Sequence, residues 1–142
     1  MRWAPVVLAA GVLTLAGCGK PEDAPRAETT GADVPAAAIE PTAAMGELVF
    51  KRCVACHTID KGGTNGIGPN LHGVVGRAVA AHPGFSYSGA MKAKGGNWDE
   101  TALDAYLADP MRNVPGTRMA FAGVKDPADR KALILYLEAQ SN

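Results

Sequence analysis

The stretch between Thr58 and Phe85 is the feature that most limits how this chain can fold. It contains seven glycines and shows no sustained helical or strand periodicity. Compact domains rarely hold so long a segment without regular structure of its own. Only seven aromatic side chains fall within residues 45–142, so few large apolar groups are available for a core. We therefore expect that something other than side chains fills the centre of the fold.

The chain of 142 residues divides into three parts by composition. Residues 1–18 carry one positive charge, a mostly apolar run and small residues at its end, which is typical of an export signal. The apolar run is shorter than the about 20 residues that a membrane span needs. Residues 19–44 contain four prolines and no aromatic side chain, which predicts a flexible linker of roughly 30 Å. Residues 45–142 are then the folded domain.

The end of the apolar run reads Leu15-Ala16-Gly17-Cys18, which resembles the lipobox of bacterial lipoproteins. In that family the cysteine is lipidated on sulfur and becomes the new N-terminus after cleavage. The resemblance makes Cys18 the candidate for lipid attachment, with residues 1–17 removed from the mature protein. Ordinary cleavage after small residues and an uncleaved anchor remain open alternatives.

The net charge excludes one class of partner. Fourteen basic and 14 acidic side chains balance, so a nucleic-acid binder that depends on excess positive charge is ruled out. The balance conceals an uneven distribution, because the signal carries +1, the linker −3 and the folded domain +2. A domain this weakly basic attracts acidic partners only weakly.

Helical signals occur at both ends of the domain. Apolar residues at helical spacing predict a helix over residues 43–56, with Thr42 as its N-cap. A short second helix is expected to begin at Ser86 or Ser88 and to reach Lys94, before a pair of glycines ends it. No segment shows convincing strand alternation, so the predicted fold class is all-α.

Two further helices are predicted nearer the C-terminus. Asn97, with Glu100 three residues later, indicates a capping box before a helix that Pro110 ends. Asp126 followed by Pro127 indicates the start of a terminal helix, because proline is well suited to the first helical position.

Cys53, Cys56 and His57 form a Cys-x-x-Cys-His sequence, the attachment signature of c-type haem. On a helix, residues at i, i+3 and i+4 share one face, so both sulfurs and the imidazole can point at one ligand. The thiols can add to the two haem vinyl groups while His57 reaches the iron from one side. The motif predicts one covalent haem c as the group that fills the domain.

Two other uses of the same cysteines need to be weighed. A thioredoxin-like redox pair would require a preceding strand and a βαβ pattern, which the sequence lacks. A zinc site would require further ligands, and only His72 and His82 are available. Neither alternative explains the missing core.

The second axial ligand has to come from a distant part of the chain. Met45 is too near the cysteines in sequence to cross the haem plane. Met119 follows a loop fixed by proline and glycine between two helices, so it can be held over the opposite face, and it is favoured over Met111. Thioether ligation raises the potential and leaves no open coordination position, so an enzyme is not expected.

At this point the domain resembles class I cytochrome c of the mitochondrial and short bacterial type. The matching segments keep the family's order and nearly its spacing over residues 46–139: Gly46–His57, Gly68–Gly73, Pro83–Tyr87, Trp98, Tyr106–Leu107, Pro115–Gly123 and Leu133–Leu137. The resemblance implies a small all-α cytochrome c fold, with its helices packed around one covalently attached haem.

By position, the resemblance implies that His57 and Met119 are the axial ligands of the iron. The carbonyl of Pro69 would accept a hydrogen bond from the His57 ring, which raises the basicity of the ligand. Tyr106 would reach the Met119 sulfur, and Thr117 would join the same polar network.

The resemblance also implies how the inner haem propionate is bound. Arg77, Tyr87 and Trp98 would donate hydrogen bonds to it, and a buried carboxylate without donors is very costly. Phe121 would shield the haem edge.

Other positions carry implied structural roles. Four residues would pack the terminal helices together: Gly46, Phe50, Leu133 and Tyr136. His72 is expected to be structural and not a ligand.

Two departures from the family pattern stand out. Met91 occupies a position where many members carry asparagine within the polar network near the haem. The ring of lysines that often surrounds the haem edge in the family is also thinner here. Asp126 lies beside the positive residues that match it, which are Arg52, Arg112, Arg118 and Lys125.

The function implied is that of an electron carrier with His/Met ligation. It would move one electron at a time between membrane-bound respiratory or photosynthetic complexes, from a donor reductase to an acceptor oxidase or reaction centre. We expect a monomer on the periplasmic side of a bacterial membrane, tethered by lipid, with a soluble or signal-anchored periplasmic protein as the alternative. The functional alternative is a haem enzyme or sensor, such as a peroxidase, in which Met119 is displaced.

Overall fold

The computed structural model describes residues 39–141. The predicted signal, Cys18 and nearly all of the predicted linker lie outside the described residues. The described residues form five helices, with the bounds α1 Ala43–Phe50, α2 Gly89–Lys94, α3 Glu100–Ala108, α4 Pro110–Asn113 and α5 Pro127–Ala139. Within this part of the chain the only β pairing is an isolated antiparallel bridge between Ala78 and Asn97. The predicted all-α class is therefore confirmed.

Within residues 39–141, no helix combines the length and the apolar character that crossing a membrane requires.

Helix α1 begins where the sequence predicted and ends earlier. The Thr42 hydroxyl accepts the backbone N–H of Met45 at 3.3 Å, as an N-cap does. The helix stops at Phe50, so the predicted extension over residues 43–56 was wrong. Beyond it the bonding tightens to i→i−3, and the Cys53 N–H donates to the Phe50 carbonyl at 2.7 Å. The haem-attachment motif therefore lies on a run of turns directly after the helix.

A capping residue at each end determines the bounds of helix α2. The Ser88 hydroxyl accepts the backbone N–H of Met91 at 3.1 Å, which selects Ser88 over Ser86 as the cap. Gly95 follows the last helical residue with φ of 64°, a conformation that glycine adopts without strain.

The predicted capping box of Asn97 and Glu100 was wrong. Asp99 is the N-cap of α3, and its carboxylate accepts the N–H of Ala102 at 2.7 Å. Asn97 is instead paired with Ala78 in the antiparallel bridge, so its backbone is extended and the helix begins three residues later.

An aspartate caps the N-terminus of each of the last two helices. Asp109 accepts the N–H of Arg112 at 3.1 Å, and Pro110 opens the short helix α4, which the sequence analysis did not predict. Asp126 accepts the N–H of Asp129 at 2.9 Å and caps α5, as predicted. Proline thus ends α3 and starts the next helix within one turn.

The terminal helices α1 and α5 pack closely. A Cβ on Gly46 would overlap the Ala132 carbonyl, so only glycine permits this approach. The rings of Phe50 and Tyr136 lie with their centroids 5.2 Å apart, and Leu133 is 1% exposed. The predicted packing of the two helices is confirmed, and it forms one wall of the interior.

Candidate haem site

A cavity of about 700 Å³ lies within the domain. Its wall includes the residues predicted from sequence to bind or ligate the cofactor: Cys53, Cys56, His57, Arg77, Tyr87, Trp98, Tyr106, Thr117 and Met119. Apolar side chains supply much of the remaining wall, among them Phe50, Leu71, Val74, Leu103 and Leu137. A largely apolar concavity with a few placed polar groups is typical of a cofactor pocket.

Both cysteines of the motif are free thiols at the cavity wall. Burial raises the pKa of Cys53 to about 11, opposed by a smaller effect of Arg52. Redox-active cysteine pairs depend on a lowered thiol pKa, and the motif follows a helix instead of a strand. Both observations argue against the thioredoxin-like alternative. Residues 39–141 also contain no cluster of three or more His, Cys, Asp or Glu side chains that could hold a metal such as zinc.

His57 is held in one orientation by the loop that follows it. Its Nδ1 donates to the carbonyl of Pro69 at 2.7 Å, which leaves Nε2 as the unprotonated, metal-binding nitrogen. Burial lowers the pKa of His57, and the bond to Pro69 partly offsets this. A Cβ on Gly68 would overlap the imidazole ring, so glycine allows the backbone to pass directly against it. The geometry favours a neutral imidazole ready to coordinate.

A hydrogen bond from a residue on helix α3 holds the Met119 sulfur in place. The Tyr106 hydroxyl donates to Met119 Sδ at 3.4 Å and lies 3.3 Å from Thr117 Oγ1. Thr117 Oγ1 also accepts the backbone N–H of Met119 at 3.3 Å. Burial raises the pKa of Tyr106, against a smaller effect of Thr117, so the hydroxyl keeps the proton that it donates. The three residues make a small polar network in an otherwise apolar wall.

The other methionines are placed differently. Met111 is 55% exposed on α4 and is not part of the cavity wall. Met45 lies on α1 and is also outside the wall. Met91, however, is buried on α2 and lines the same cavity as Met119. The position expected to carry asparagine in many relatives is therefore apolar here.

Arg77 brings a positive charge to the cavity. Its Nη1 donates to the His72 carbonyl at 3.1 Å and its Nη2 to the Asn70 carbonyl at 3.3 Å. Burial lowers the pKa of Arg77, and Tyr87 acts in the opposite direction, but a guanidinium stays charged at any relevant pH. The positive charge of Arg77 would compensate the negative charge of a carboxylate buried next to this wall.

Tyr87 and Trp98 complete the group of expected propionate donors. Burial raises the pKa of Tyr87, and its hydrogen bond to the His82 backbone lowers it to a smaller extent. Trp98 packs on Tyr106 with ring centroids 4.9 Å apart. The structure thus brings the indole, the phenol and the guanidinium to the same cavity.

Asn70 was not predicted as important, yet it is the most buried polar side chain described, at 2% exposure. Its Nδ2 donates to Thr58 Oγ1 at 2.7 Å and to the Asp60 carbonyl at 3.0 Å. Its Oδ1 accepts the backbone N–H of His72 at 2.9 Å. These bonds fix the irregular segment that carries Pro69, and with it the orientation of His57.

Asn65 extends this network to a second loop. Its Oδ1 accepts the N–H of Asn70 at 2.9 Å, and its Nδ2 donates to the Pro83 carbonyl at 3.2 Å. The sequence signal for both asparagines was weak, because it consisted only of short polar residues among glycines. Side-chain hydrogen bonds replace secondary structure in this segment.

Positive and apolar side chains meet at the rim of the cavity. Arg52 and Arg118 both line it and are exposed, and the Arg118 guanidinium donates to the Ser86 carbonyl. Ile67 is 80% exposed and also lines the cavity, while Phe121 is half-buried there. The other two predicted positive residues, Arg112 and Lys125, do not contact the cavity.

The residues present fit a c-type haem. Two thiols and an imidazole at attachment spacing face one cavity, a thioether lies in the same wall, and apolar side chains surround them. A guanidinium supplies the charge that haem carboxylates require. A haem bound by these residues would therefore occupy the centre of the fold, for which the sequence supplies few large side chains.

An all-helical domain that encloses such a cavity, with Cys-x-x-Cys-His and a methionine in its wall, defines a c-type cytochrome. The family model described as Cytochrome c matches residues 43–141. The chain belongs to the cytochrome c family.

Several relatives are known. Cytochrome c2 of Rhodomicrobium vannielii is 47% identical over 95 residues, covering 67% of this chain and 76% of that protein. A Rhodobacter capsulatus protein named cytochrome c-type cyt cy is 50% identical over 106 residues, 74% of this chain and 52% of its own length. The solved structure of cytochrome cH from Methylobacterium extorquens aligns with a TM-score of 0.65 and 43% identity, over 69% of this chain and 98% of that one.

Membership in the family confirms the predicted fold and the covalent haem c. Proteins of this family are electron carriers, and so is this chain. The alternative of a peroxidase-like haem enzyme is not favoured.

Proposed function

We propose that this protein carries single electrons between a donor reductase and an acceptor oxidase or reaction centre on the periplasmic side of a bacterial membrane. The bound haem supplies the one-electron couple between ferric and ferrous iron. The observation that carries the proposal is that two potential axial ligands share one cavity and each is held by its own hydrogen bond. His57 is fixed by Pro69, and Met119 by Tyr106.

Each residue of the motif has a separate role in this proposal. Cys53 and Cys56 would hold the haem covalently through their sulfurs, and His57 Nε2 and Met119 Sδ would bind its iron. With both residues bound, the iron would offer no place for a substrate, so we propose no enzymatic activity. The support is that the Met119 sulfur accepts a hydrogen bond from Tyr106, which opposes its displacement.

Arg77, Tyr87 and Trp98 bind the inner haem propionate in this proposal. Their common position in the cavity wall supports this role. Arg77 compensates the carboxylate charge, and the two aromatic donors exclude water from it. Removing the compensation from a buried carboxylate would destabilise the folded protein.

The partners are proposed to dock where the cavity opens to solvent. Exposed Arg52 and Arg118 attract acidic groups of a partner, and exposed Ile67 supplies apolar contact area at the same rim. The charge is low, so steering is weak and sensitive to salt. We propose that the carrier acts as a monomer.

The N-terminal part is proposed to be a tether, with residues 1–18 as export signal, residues 19–44 as linker and residues 45–142 as the cytochrome domain. A lipid on Cys18 would confine the domain near its partners and raise their effective concentration. Replacing Cys18 by serine would release the protein from membranes. A Cys18→Ser protein that stays in the membrane with an uncleaved N-terminus would favour a signal anchor instead.

Transfer to membranes tests the carrier role. Reduced full-length protein is mixed with washed bacterial membranes that contain a terminal oxidase, and its oxidation is followed optically. We expect fast oxidation that slows with added salt, and a slower rate for Arg52→Ala. Lys131→Ala removes the same charge from α5, away from the cavity, and is expected to react like the wild type. Equal rates for the two variants would contradict the docking surface, and an unreactive wild type would contradict the carrier role.

A further inference from the structure

His82 holds the Arg77 side chain by an unusual contact. Its Nδ1 lies 3.1 Å from Nη1 of Arg77. A guanidinium has donors and no acceptor, so the imidazole nitrogen has to accept. The His82 ring is therefore neutral, with its proton on Nε2. The contact is compatible with a neutral ring and not with a doubly protonated one.

An uncommon backbone conformation lies between these two residues. Among the residues that the structure describes, Ala80 is the one non-glycine residue with positive φ, at 60°. Such a conformation is unfavourable for alanine and persists where the surroundings require it. It lies midway between Arg77 and His82, in the turn that returns the chain so that the two side chains meet.

We propose that His82 is a positioning residue for Arg77 and that proton binding to its Nδ1 is coupled to the electron that the protein carries. The inference rests on the proposed function, in which Arg77 faces the haem propionate.

The coupling follows from charge. A protonated His82 cannot accept from Arg77, so the hydrogen bond is lost and two cations face each other. Uptake of one electron lowers the positive charge inside the cavity and makes this proton easier to bind. The electron comes from the redox partner and the proton from water, and the Arg77–His82 hydrogen bond is the only bond that breaks.

The groups around His82 determine in which direction its pKa is shifted. Arg77 faces its ring, the Tyr87 hydroxyl oxygen accepts a hydrogen bond from its backbone, and Asn65, which does not titrate, contacts the next carbonyl at Pro83. Burial first, and then Arg77, lower the pKa of His82 below its ordinary 6.5. The ring is therefore neutral at pH 7 and binds a proton on the acid side.

The reduced protein is expected to have the higher His82 pKa. The midpoint potential should then be constant at neutral pH and rise as the pH falls through the interval between the His82 pKa values of the oxidised and reduced forms.

Two measurements on the full-length haem protein test this coupling between about pH 5 and pH 8. One is the midpoint potential by spectroelectrochemistry, and the other is the ring pKa of His82 by NMR in both redox states. His82→Asn keeps an oxygen that can accept from Arg77 but does not titrate. His72→Asn is the matched control, because His72 contacts Arg77 and Asn70 only through its backbone.

We expect the acid rise of the potential in the wild type and in His72→Asn, its loss in His82→Asn, and an upward shift of the His82 pKa on reduction. An unchanged rise in His82→Asn, or one pKa in both redox states, would overturn the coupling while leaving the carrier intact. A wild type without covalent haem or a reversible couple would overturn the proposed function as well.

Discussion

The Tyr106 hydroxyl lies 3.4 Å from the sulfur of Met119 and 3.3 Å from the hydroxyl of Thr117. Tyr106 is on α3, whereas the other two residues belong to the loop before α5. The position of the sulfur therefore depends on a helix and not on its loop alone. If Met119 ligates the iron as proposed, a phenol that donates to its sulfur would draw electron density away from that ligand.

Replacing Tyr106 by phenylalanine is expected to lower the midpoint potential. A sulfur without its hydrogen bond donates more strongly and stabilises the ferric state. The folded protein should lose about 1 kcal/mol with the hydrogen bond. Potentiometry checks the first effect, with Tyr136→Phe as the control because Tyr136 lies outside the cavity wall. A potential that is unchanged or raised in Tyr106→Phe would contradict this role.

Gly46→Ala is expected to destabilise the protein strongly. A methyl group at this position overlaps the Ala132 carbonyl and forces α1 away from α5, at a cost of about 2 kcal/mol or more. Gly89→Ala is the matched control, since a Cβ there meets nothing within 4 Å. Its effect should be neutral or stabilising by about 0.5 kcal/mol. Urea unfolding measures both, and equal stability of the two variants would contradict the need for glycine at position 46.

Asn70→Ala is expected to lower the free energy of unfolding by about 2–3 kcal/mol, because it removes several buried hydrogen bonds at once. The exposed Asn97 offers a control, and Asn97→Ala should change stability by less than about 0.5 kcal/mol. Guanidinium unfolding of the ferric protein compares the two. If Asn70→Ala is as stable as the control, its hydrogen bonds do not support the segment before Arg77.

Hydrogen bonds from Arg130 stabilise the loop between Met119 and α5. Its Nε donates to Asp104 Oδ1 at 2.7 Å, and its Nη1 donates to the carbonyls of Val124 and Lys125 at 3.1 and 3.0 Å. Arg130→Ala should destabilise the protein by about 2 kcal/mol and speed amide exchange at Val124.

Lys125→Ala tests the specificity of the Arg130 effect. Lys125 pairs with Asp109 at 3.6 Å on the exposed surface, and such pairs contribute less than about 1 kcal/mol. Exchange at Val124 should therefore change little. Equal acceleration in both variants would assign the effect to general loosening of the loop.

The pH dependence of stability has a predicted sign. Because the pKa of His82 is lowered in the folded protein, the unfolded chain binds its proton first as the pH falls below 6.5. The stability linked to this group is present above that pH and is lost as the pH falls through the folded pKa. Urea unfolding at several pH values should show a shallower acid loss in His82→Asn than in the wild type. Parallel curves would mean that the folded protein does not lower this pKa.

The haem site could be predicted from sequence because its chemistry needs particular residues at a particular spacing. Two thiols and an imidazole within five residues identify c-type attachment before any fold is known. The caps at Thr42, Ser88 and Asp126 were predictable for a related reason, since each bonds to a backbone N–H three residues away.

The residues that sequence analysis missed depend on distant partners. Asn70 bonds across 12 residues to Thr58, and Asn65 across 18 residues to Pro83, within a segment that has no periodicity. The cap at Asp99 could not be separated from Asn97 locally, because the choice depends on the bridge to Ala78. Local patterns carry no information about which loops meet.

The absorption spectrum of the ferric protein tests the central claim, that Met119 completes a closed His/Met haem site. A sulfur-to-iron charge-transfer band is expected in the wild type and in Met111→Ala, whose side chain lies outside the cavity. The band should disappear in Met119→Ala, together with a fall in the midpoint potential. A Met119→Ala protein that keeps both the band and the wild-type potential would contradict the account.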